Sequence, residues 1–303
     1  MSFRKEYDEI KDVYFDFLTE IKRVVEKLLF RHKIPIAFEI SSRLKEFDSI
    51  LEKNSSGRST IKKTITELND LVGLRIVVLF PEYKGKVIEL LLDEFLPKKA
   101  YDPGEIIVDK FGYSSVHLIL GIKHDWLKTP DWEDHADKKV EIQIRTLSEH
   151  VWAETSHSLF YKREENIPTV ISRDLYRLAA LLEVVDEKMQ GIKNSVENHF
   201  DYIRKCPYST ILTMDLNPET FRRIMVKNSE GLYNLNDKNN KILSSQIEKK
   251  YNILNANALD SIISGNINTK SLDTDKYIGR FFELLEAYKE DIDKKQKEAD
   301  NLK

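Results

Sequence analysis

An α+β fold is predicted for this chain of 303 residues: a mixed five-stranded sheet flanked by helices, then a mainly helical C-terminal segment. Two observations predict it. Short runs rich in β-branched and aromatic residues are separated by stretches whose apolar residues recur every three or four positions. Beyond Leu147 the helical spacing continues without further strand-like runs.

Taken in order, Ile10, Tyr14, Phe17, Ile21, Val24 and Leu28 form the apolar stripe of a first helix, which ends before Pro35. Strand-like runs follow at Ala37–Ile40, Arg75–Phe80, Glu105–Val108, Ser115–Leu120 and Val140–Arg145. Between the second and third of these, Lys86–Phe95 has helical spacing, so helices cover a mixed sheet. Leu147–Lys162 reads as a helix. A longer one follows, in which Leu175, Leu178, Leu182, Val185, Met189, Ile192 and Val196 keep a heptad-like spacing. That stripe has two readings, a core-facing side or a contact with another domain or a second copy of the chain. A boundary is expected near Cys206-Pro207. Beyond it, Asn217-Pro218-Glu219 has helix-start chemistry, residues 228–257 are rich in Asn and Lys, and Tyr277–Lys303 is a helix fraying into solvent. The expected organisation is 1–204 as one domain, with an N-terminal helix (1–34), a catalytic core (35–165) and a long helix (172–204), and 205–303 as a helical extension.

Bulk composition excludes some classes. Charged residues make up 33% and hydrophobic ones 41%, with a net charge of −3, so the chain is globular and has no global field for nucleic acid. No stretch approaches the roughly 20 apolar residues of a membrane span, so no membrane partner is expected. The single cysteine, Cys206, offers neither an internal disulfide nor a cysteine metal cluster, which fits the cytoplasm.

The chemistry concentrates in the first two hundred residues. Glu141-Ile-Gln-Ile-Arg145-Thr alternates polar and apolar side chains, as does a strand with one buried and one wet face, and its polar trio suits phosphates and a metal. Neither a Walker-type loop nor a Gly-x-Gly-x-x-Gly turn is present. Phosphates would instead meet Arg43, Lys45, Ser49 and Lys53, a fork, two point charges and a hydroxyl brought to one side of a strand end and helix. Asp70, just before a buried strand, and Glu141 are the best carboxylate pair for a hard divalent cation, which takes one or two carboxylates plus substrate phosphates. Lys110-Phe-Gly112-Tyr113-Ser-Ser-Val-His117 sets an aromatic after a glycine and a histidine on the next strand, apt for a base and its phosphates.

In sequence order, Arg43-x-Lys45-x3-Ser49-x3-Lys53, Asp70-x-x-Gly73-x-Arg75, Gly112-Tyr113-x-Ser115-x-His117, Glu141-Ile-Gln143-Ile-Arg145-Thr146 and Trp152-Ala-Glu154-x-x-His157-x3-Tyr161-Lys162 resemble the synthetase domain of the RelA/SpoT family of alarmone synthetases. The resemblance spans about residues 35–165. It implies a nucleotidyltransferase-like sheet and transfer of the β,γ-pyrophosphate of ATP to the 3′-hydroxyl of GDP or GTP, releasing AMP. By the same resemblance Asp70 and Glu141 hold Mg²⁺, and Glu141 acts as second ligand or as general base. Arg43 and Arg75 would bracket adenine, and Lys45, Ser49 and Lys53 would hold the donor phosphates. Tyr113 would stack on the acceptor base, Lys110 and His117 would face its phosphates, and Gln143, Arg145, Glu154 and His157 would support the acceptor side. His124-Asp125 has no histidine partners for the hydrolase site of long family members, so no alarmone hydrolysis is expected. Toxic relatives use this domain to modify the 3′ end of tRNA or adenosine nucleotides, some under C-terminal restraint. That alternative stays open, as does an inactive nucleotide-binding scaffold; a homo-oligomer is a further expectation.

Overall fold

The structure is a computed structural model and describes residues 3–55, 61, 63–99, 115–160, 169–267, 269 and 272–301. The chain divides into two compact units, Met1–Ile192 and Lys193–Lys303, each with its own apolar core. The division falls inside a 37-residue helix, whereas the sequence suggested a boundary at Cys206.

The first unit opens with α1 (Phe3–Arg31), whose Tyr7, Tyr14, Phe17, Leu18, Ile21, Val25 and Leu29 are buried at the three- and four-residue spacing of one helix face. That face joins the core under the sheet. The chain then forms β1 (Ser41–Leu44), α2 (Phe47–Ser55), β2 (Val72–Val78), α3 (Glu82–Glu94), β3 (Leu96–Pro97), β4 (Val116–Gly121) and β5 (Lys139–Thr146). The strand order is β1-β2-β5-β4-β3, with β2 and β5 parallel and every other pair antiparallel. The parallel pair needs a long crossover, which here includes α3. One face of the sheet is apolar: Leu74 pairs with Ile142, Ile142 with Leu118, and Val116 with Ile144.

Two strands depart from expectation. Ala37–Ile40 is not a ladder strand; only Ile36 bridges Val78, with Ala37 N–H donating to the Val77 carbonyl at 2.8 Å. The edge strand forms four residues later, at Ser41–Leu44, where three exposed polar residues carry no apolar alternation. The run at Glu105–Val108 lies outside the described residues, and the strand at that edge of the sheet is the two-residue β3, which contains Pro97.

The turn from β5 into α4 (Leu147–Phe160) is a reciprocal cap. Thr146 Oγ1 accepts from the Glu149 N–H at 3.1 Å, and Glu149 Oε2 accepts from the Thr146 N–H at 2.8 Å. From α5 (Thr169–Lys205), Asp186 accepts from the Thr146 hydroxyl at 2.6 Å, and Gln190 exchanges two hydrogen bonds with Glu82 at the start of α3.

The second unit packs α6 (Tyr208–Ile211), α7 (Pro218–Asn228), α8 (Asp237–Tyr251), α9 (Ala256–Ile263) and α10 (Thr274–Asn301) around Phe221, Ile247, Leu259, Tyr277, Phe281 and Leu285. Its many asparagines have a structural use. Asn217 makes a capping box with Thr220 ahead of Pro218, and Asn236 and Asn255 cap α8 and α9. Among the described residues no helix is long and apolar enough to cross a membrane.

Candidate active site

The polar face of the sheet is assembled by register. Arg43 of β1 lies opposite Gly73 of β2, which lies opposite Glu141 of β5; in the next row Ser41, Arg75, Gln143 and His117 stand side by side. Because side chains alternate across a strand, Arg43, Arg75, Glu141, Gln143, Arg145 and His117 share one face. Gly73 is the flat point in this row. A methyl group there would meet the Arg43 side chain at 3.5 Å and the Glu141 carbonyl at 3.9 Å, so Arg43 lies across the glycine in ordinary contact. Beside it is a cavity of about 220 Å³ lined by Ser41, Ser42, Arg43, Gly73, Leu74, Arg75 and Gln143. That is below the roughly 300 Å³ at which pockets enclose a whole drug-sized ligand, and is room for one part of a nucleotide.

The trio on β5 is not wet, contrary to the alternating pattern. Gln143 and Arg145 are only 9% and 8% exposed, and each is satisfied within a continuous chain of hydrogen bonds. His117 Nδ1 lies 3.0 Å from Glu141 Oε1, and Gln143 Nε2 donates to Glu141 Oε2 at 3.0 Å. Arg145 donates to Gln143 Oε1 at 3.2 Å and to the Ser115 hydroxyl at 2.6 Å. Glu154 of α4 then accepts from Arg145 at 3.5 Å and from Arg75 at 2.6 Å. This carboxylate therefore ties an arginine of β2 to one of β5 although their charges repel.

The electrostatics follow from burial and these partners. Burial pushes the Glu141 carboxyl up, but the hydrogen bonds from His117 and Gln143 and the His117 charge outweigh it and hold the group below the usual value; the nearby Asp70 carboxylate opposes them. Burial and then the Arg75 charge lower the Arg145 guanidinium, with Glu154 acting the other way. His150, also on α4, is lowered chiefly by burial and sits 3.8 Å from Glu154. It stacks at a tilt on Phe38, with centroids 5.7 Å apart.

On the edge of this face Lys45 Nζ donates to Asp70 Oδ2 at 2.6 Å, the two side chains being 10% and 15% exposed. The backbone there is fixed as well: the Lys45 N–H donates to the Leu71 carbonyl at 2.8 Å, and the Tyr7 hydroxyl to the Lys45 carbonyl at 3.0 Å. Asp70 and Glu141 are close enough to repel each other, which is the property of a paired carboxylate site that a divalent cation relieves. Among the described residues no three His, Cys, Asp or Glu side chains form a metal cluster. A magnesium ion needs none, since waters and substrate phosphates complete its shell. The donor set fits that ion.

The structure thus brings together Arg43, Arg75 and Gln143 at the cavity, Lys45 with Asp70, and His117, Glu141, Gln143, Arg145 and Glu154 in one network. Ser49 and His157 are exposed on α2 and α4. The Lys53 side chain, Lys110 and Tyr113 lie outside the described residues. Sequence reasoning missed Ser41 and Ser42 on the cavity wall, and His150. The last carried a signal, standing four residues before Glu154 and so on the same helix face. The serines carried none.

Residues 42–166 match the model of the region found in RelA/SpoT proteins. The GTP pyrophosphokinase YjbM of Bacillus subtilis is 31% identical to this chain over 198 residues, which cover 60% of this chain and 89% of that protein. Also similar is the crystal structure of small alarmone synthetase 1 from Bacillus subtilis bound to its product pppGpp, with TM-score 0.53 and 30% identity. The same synthetase bound to AMPCPP gives TM-score 0.50 and 28% identity. Each comparison covers 64% of this chain and 99% of the other.

Proposed function

The chain belongs to the RelA/SpoT family, and from that premise we propose that it is a GTP pyrophosphokinase making (p)ppGpp and AMP from ATP and GDP or GTP. The observation that carries the proposal is the shared face on which Glu141 lies beside Gly73 and its carboxyl is held charged by His117 and Gln143, with Asp70 close by. In the reaction the acceptor's 3′-oxygen attacks the β-phosphorus of ATP, the bond between that phosphorus and the α-phosphate oxygen breaks, AMP leaves with the electron pair, and the hydroxyl proton passes by way of Glu141 to solvent.

Each part of the face has a task in that step. Arg43 and Arg75 flank the cavity and bracket the adenine, Arg75 being steadied by Glu154. By the resemblance Lys45, Ser49 and Lys53 would take the donor phosphates. By the family resemblance Tyr113 would stack on the guanine, Lys110 and His117 would face its phosphates, and His157 would support the acceptor side. Gln143 and Arg145, both buried, act as positioning residues through Glu141 and Glu154. A Mg²⁺ ion between Asp70, Glu141 and the phosphates would draw off the charge that develops as the pyrophosphate moves. A carboxylate kept below its ordinary pKa is a modest base but a constant anion. Glu141 therefore suits accepting the hydroxyl's hydrogen bond and ordering it in line, which is most of what phosphoryl-type transfer asks of a protein. Such substrates and the lone buried thiol of Cys206 fit a cytoplasmic enzyme.

A second copy of this chain is the partner we propose. On α5, Asp186 and Gln190 point inward, whereas Ile171, Leu178, Leu181, Val185, Met189 and Ile192 form an arc that is 38% to 65% exposed. Asp174 and Lys188 stand seven residues either side of Leu181, so antiparallel pairing about Leu181 sets each against its opposite charge. Sedimentation equilibrium of the wild type and Leu181→Glu tests this; a wild type that is monomeric at 100 µM, a concentration of the order expected to populate even weak dimers, would refute it.

The activity is tested with γ-labelled ATP offered separately with GDP, GTP, ADP and bulk tRNA. Label on a guanosine nucleotide is expected. Label on tRNA or an adenosine nucleotide would assign the chain to the other acceptors of its family, and label nowhere would make it a binding scaffold.

A further inference from the structure

We propose that Glu6 and Tyr7, in the first turns of α1, are positioning residues for the donor side of the site, holding the two chain segments that carry Lys45 and Asp70. The inference rests on the pyrophosphokinase reading for the identity of the donor; the contacts themselves are independent of it. Antiparallel pairing of β1 with β2 ends at Leu44 and Val72. Lys45 and Asp70 both lie just beyond that last pair, where the ladder no longer sets the spacing of the two chains. One backbone bond still links the segments there, from the Lys45 N–H to the Leu71 carbonyl at 2.8 Å. Further support comes from beside the sheet.

The first turns of α1 reach both segments. The Tyr7 hydroxyl donates to the Lys45 carbonyl at 3.0 Å, and its ring packs at a tilt on Phe47 at the start of α2, with centroids 5.6 Å apart. Arg4 stands three residues before Tyr7, on the same helix face, and its guanidinium lies 5.0 Å from the centre of the same Phe47 ring. Burial, and then the Glu46 carboxylate, push the Tyr7 hydroxyl up, so it stays a donor at neutral pH. Glu6 takes the other segment. Its Oε1 accepts from the Ile65 N–H at 3.0 Å and from the Thr64 hydroxyl, at the start of a single turn of 3-10 helix, Ile65–Glu67, that leads through Leu68 and Asn69 to Asp70. The far end of that turn is tied to the sheet, because Lys139 of β5 donates to the Glu67 carbonyl and to Asn69 Oδ1, each at 2.8 Å. The approach to Asp70 is therefore held between α1 and the strand that carries Glu141. An ammonium and a carboxylate that serve one triphosphate lose their alignment if either segment drifts, and a displacement of about 1 Å is enough to cost a positioned reaction a large factor.

The test is calorimetric titration of the full-length protein with AMPCPP in the presence of Mg²⁺, beside steady-state kinetics. Tyr7→Phe keeps the ring and its contact with Phe47 and removes only the hydroxyl, whereas Glu6→Ala removes the acceptor for Thr64 and Ile65. Each should weaken AMPCPP binding at least about fivefold, the fold-change that corresponds to one net hydrogen bond. The KM for ATP should rise by the same factor while the KM for GDP stays within about twofold of wild type. Leu29→Ala is the control for a part that is structural alone. Leu29 is 2% exposed on the same helix, about 33 Å along it from Tyr7, so this variant should lose stability in urea yet bind AMPCPP like wild type. Unchanged AMPCPP affinity in Tyr7→Phe and Glu6→Ala would overturn the proposal, and so would an equal loss in Leu29→Ala, which would reduce α1 to support of the fold. Should Glu6→Ala fail to fold, Tyr7→Phe decides alone. The two levels separate. Weakened AMPCPP binding in the variants with no label transfer by wild type defeats the activity and leaves the positioning role, label transfer with equal AMPCPP affinities defeats only that role, and a wild type that binds no AMPCPP defeats both.

Discussion

Replacing Glu141 by Gln removes one charge from the middle of the network and little else. Each Glu141 oxygen has a neighbour at 3.0 Å, His117 Nδ1 on Oε1 and Gln143 Nε2 on Oε2. A glutamine amide can keep both contacts, its carbonyl accepting from Gln143 and its NH₂ facing the imidazole in the tautomer that accepts. The fold should therefore survive with a loss of about 1–2 kcal/mol, the difference between charge-assisted and neutral hydrogen bonds. What disappears is the constant anion against which the 3′-hydroxyl is aligned. A positioned proton acceptor contributes about 10²–10⁴ in rate, or about 3–5 kcal/mol of barrier, so kcat should fall by that factor. The KM for ATP should hold within about threefold, because Arg43, Arg75 and Lys45 are untouched. Quantifying AMP and guanosine product by anion-exchange chromatography across ATP concentrations separates the two parameters. A variant whose kcat stays within tenfold of wild type would refute the role given to Glu141.

Other perturbations reach different parts of the same face. Glu154→Gln unties Arg75 from Arg145, and since Glu154 is half exposed the effect should be that of a surface ion pair, a two- to fivefold rise, roughly, in the KM for ATP in steady-state assays. Gly73→Ala should fold and work, its methyl in ordinary contact with Arg43, whereas Gly73→Leu should fold yet lose ATP affinity by displacing Arg43 across the cavity, as calorimetric titration would show. Thr146→Val removes the cap of α4 and leaves Asp186 without its hydroxyl donor, costing about 2–4 kcal/mol in urea denaturation. Acid should reveal Glu141 as well. Its folded pKa lies below the ordinary 4.5, so its contribution to stability is complete above that value and is lost as pH falls through the lowered one. Denaturation midpoints of Glu141→Gln should accordingly fall less steeply than those of wild type below about pH 4.5.

Much of the site was legible because its residues lie in short motifs whose spacing the strands preserve. Glu141, Gln143 and Arg145 alternate, and alternation alone places them on one face with Gly73 and Arg75 of the neighbouring strand. Alternation could not say whether that face was wet. Gln143 and Arg145 are buried because Ser115, Glu154 and one another satisfy them, and Ser115 just before β4 and Glu154 on α4 are joined to β5 by no local pattern. The edge strands were hidden for a different reason. Ser41–Leu44 is polar and exposed, and Leu96-Pro97 is too short for any periodicity, whereas Ala37–Ile40 looked like a strand but joins no ladder, the isolated bridge there being made by Ile36. Lys45 and Asp70 were each legible as charges near a strand end; that they neutralise each other in the resting protein depends on how β1 meets β2.

The most direct measurement of the central claim is the stoichiometry of the reaction itself. With ATP and GDP supplied to the purified full-length chain and Mg²⁺ present, ³¹P NMR should show one AMP formed for every guanosine tetraphosphate, with both signals growing at least about a hundredfold more slowly in Glu141→Gln at matched protein. Release of ADP and inorganic phosphate in place of that pair would contradict pyrophosphate transfer on this face.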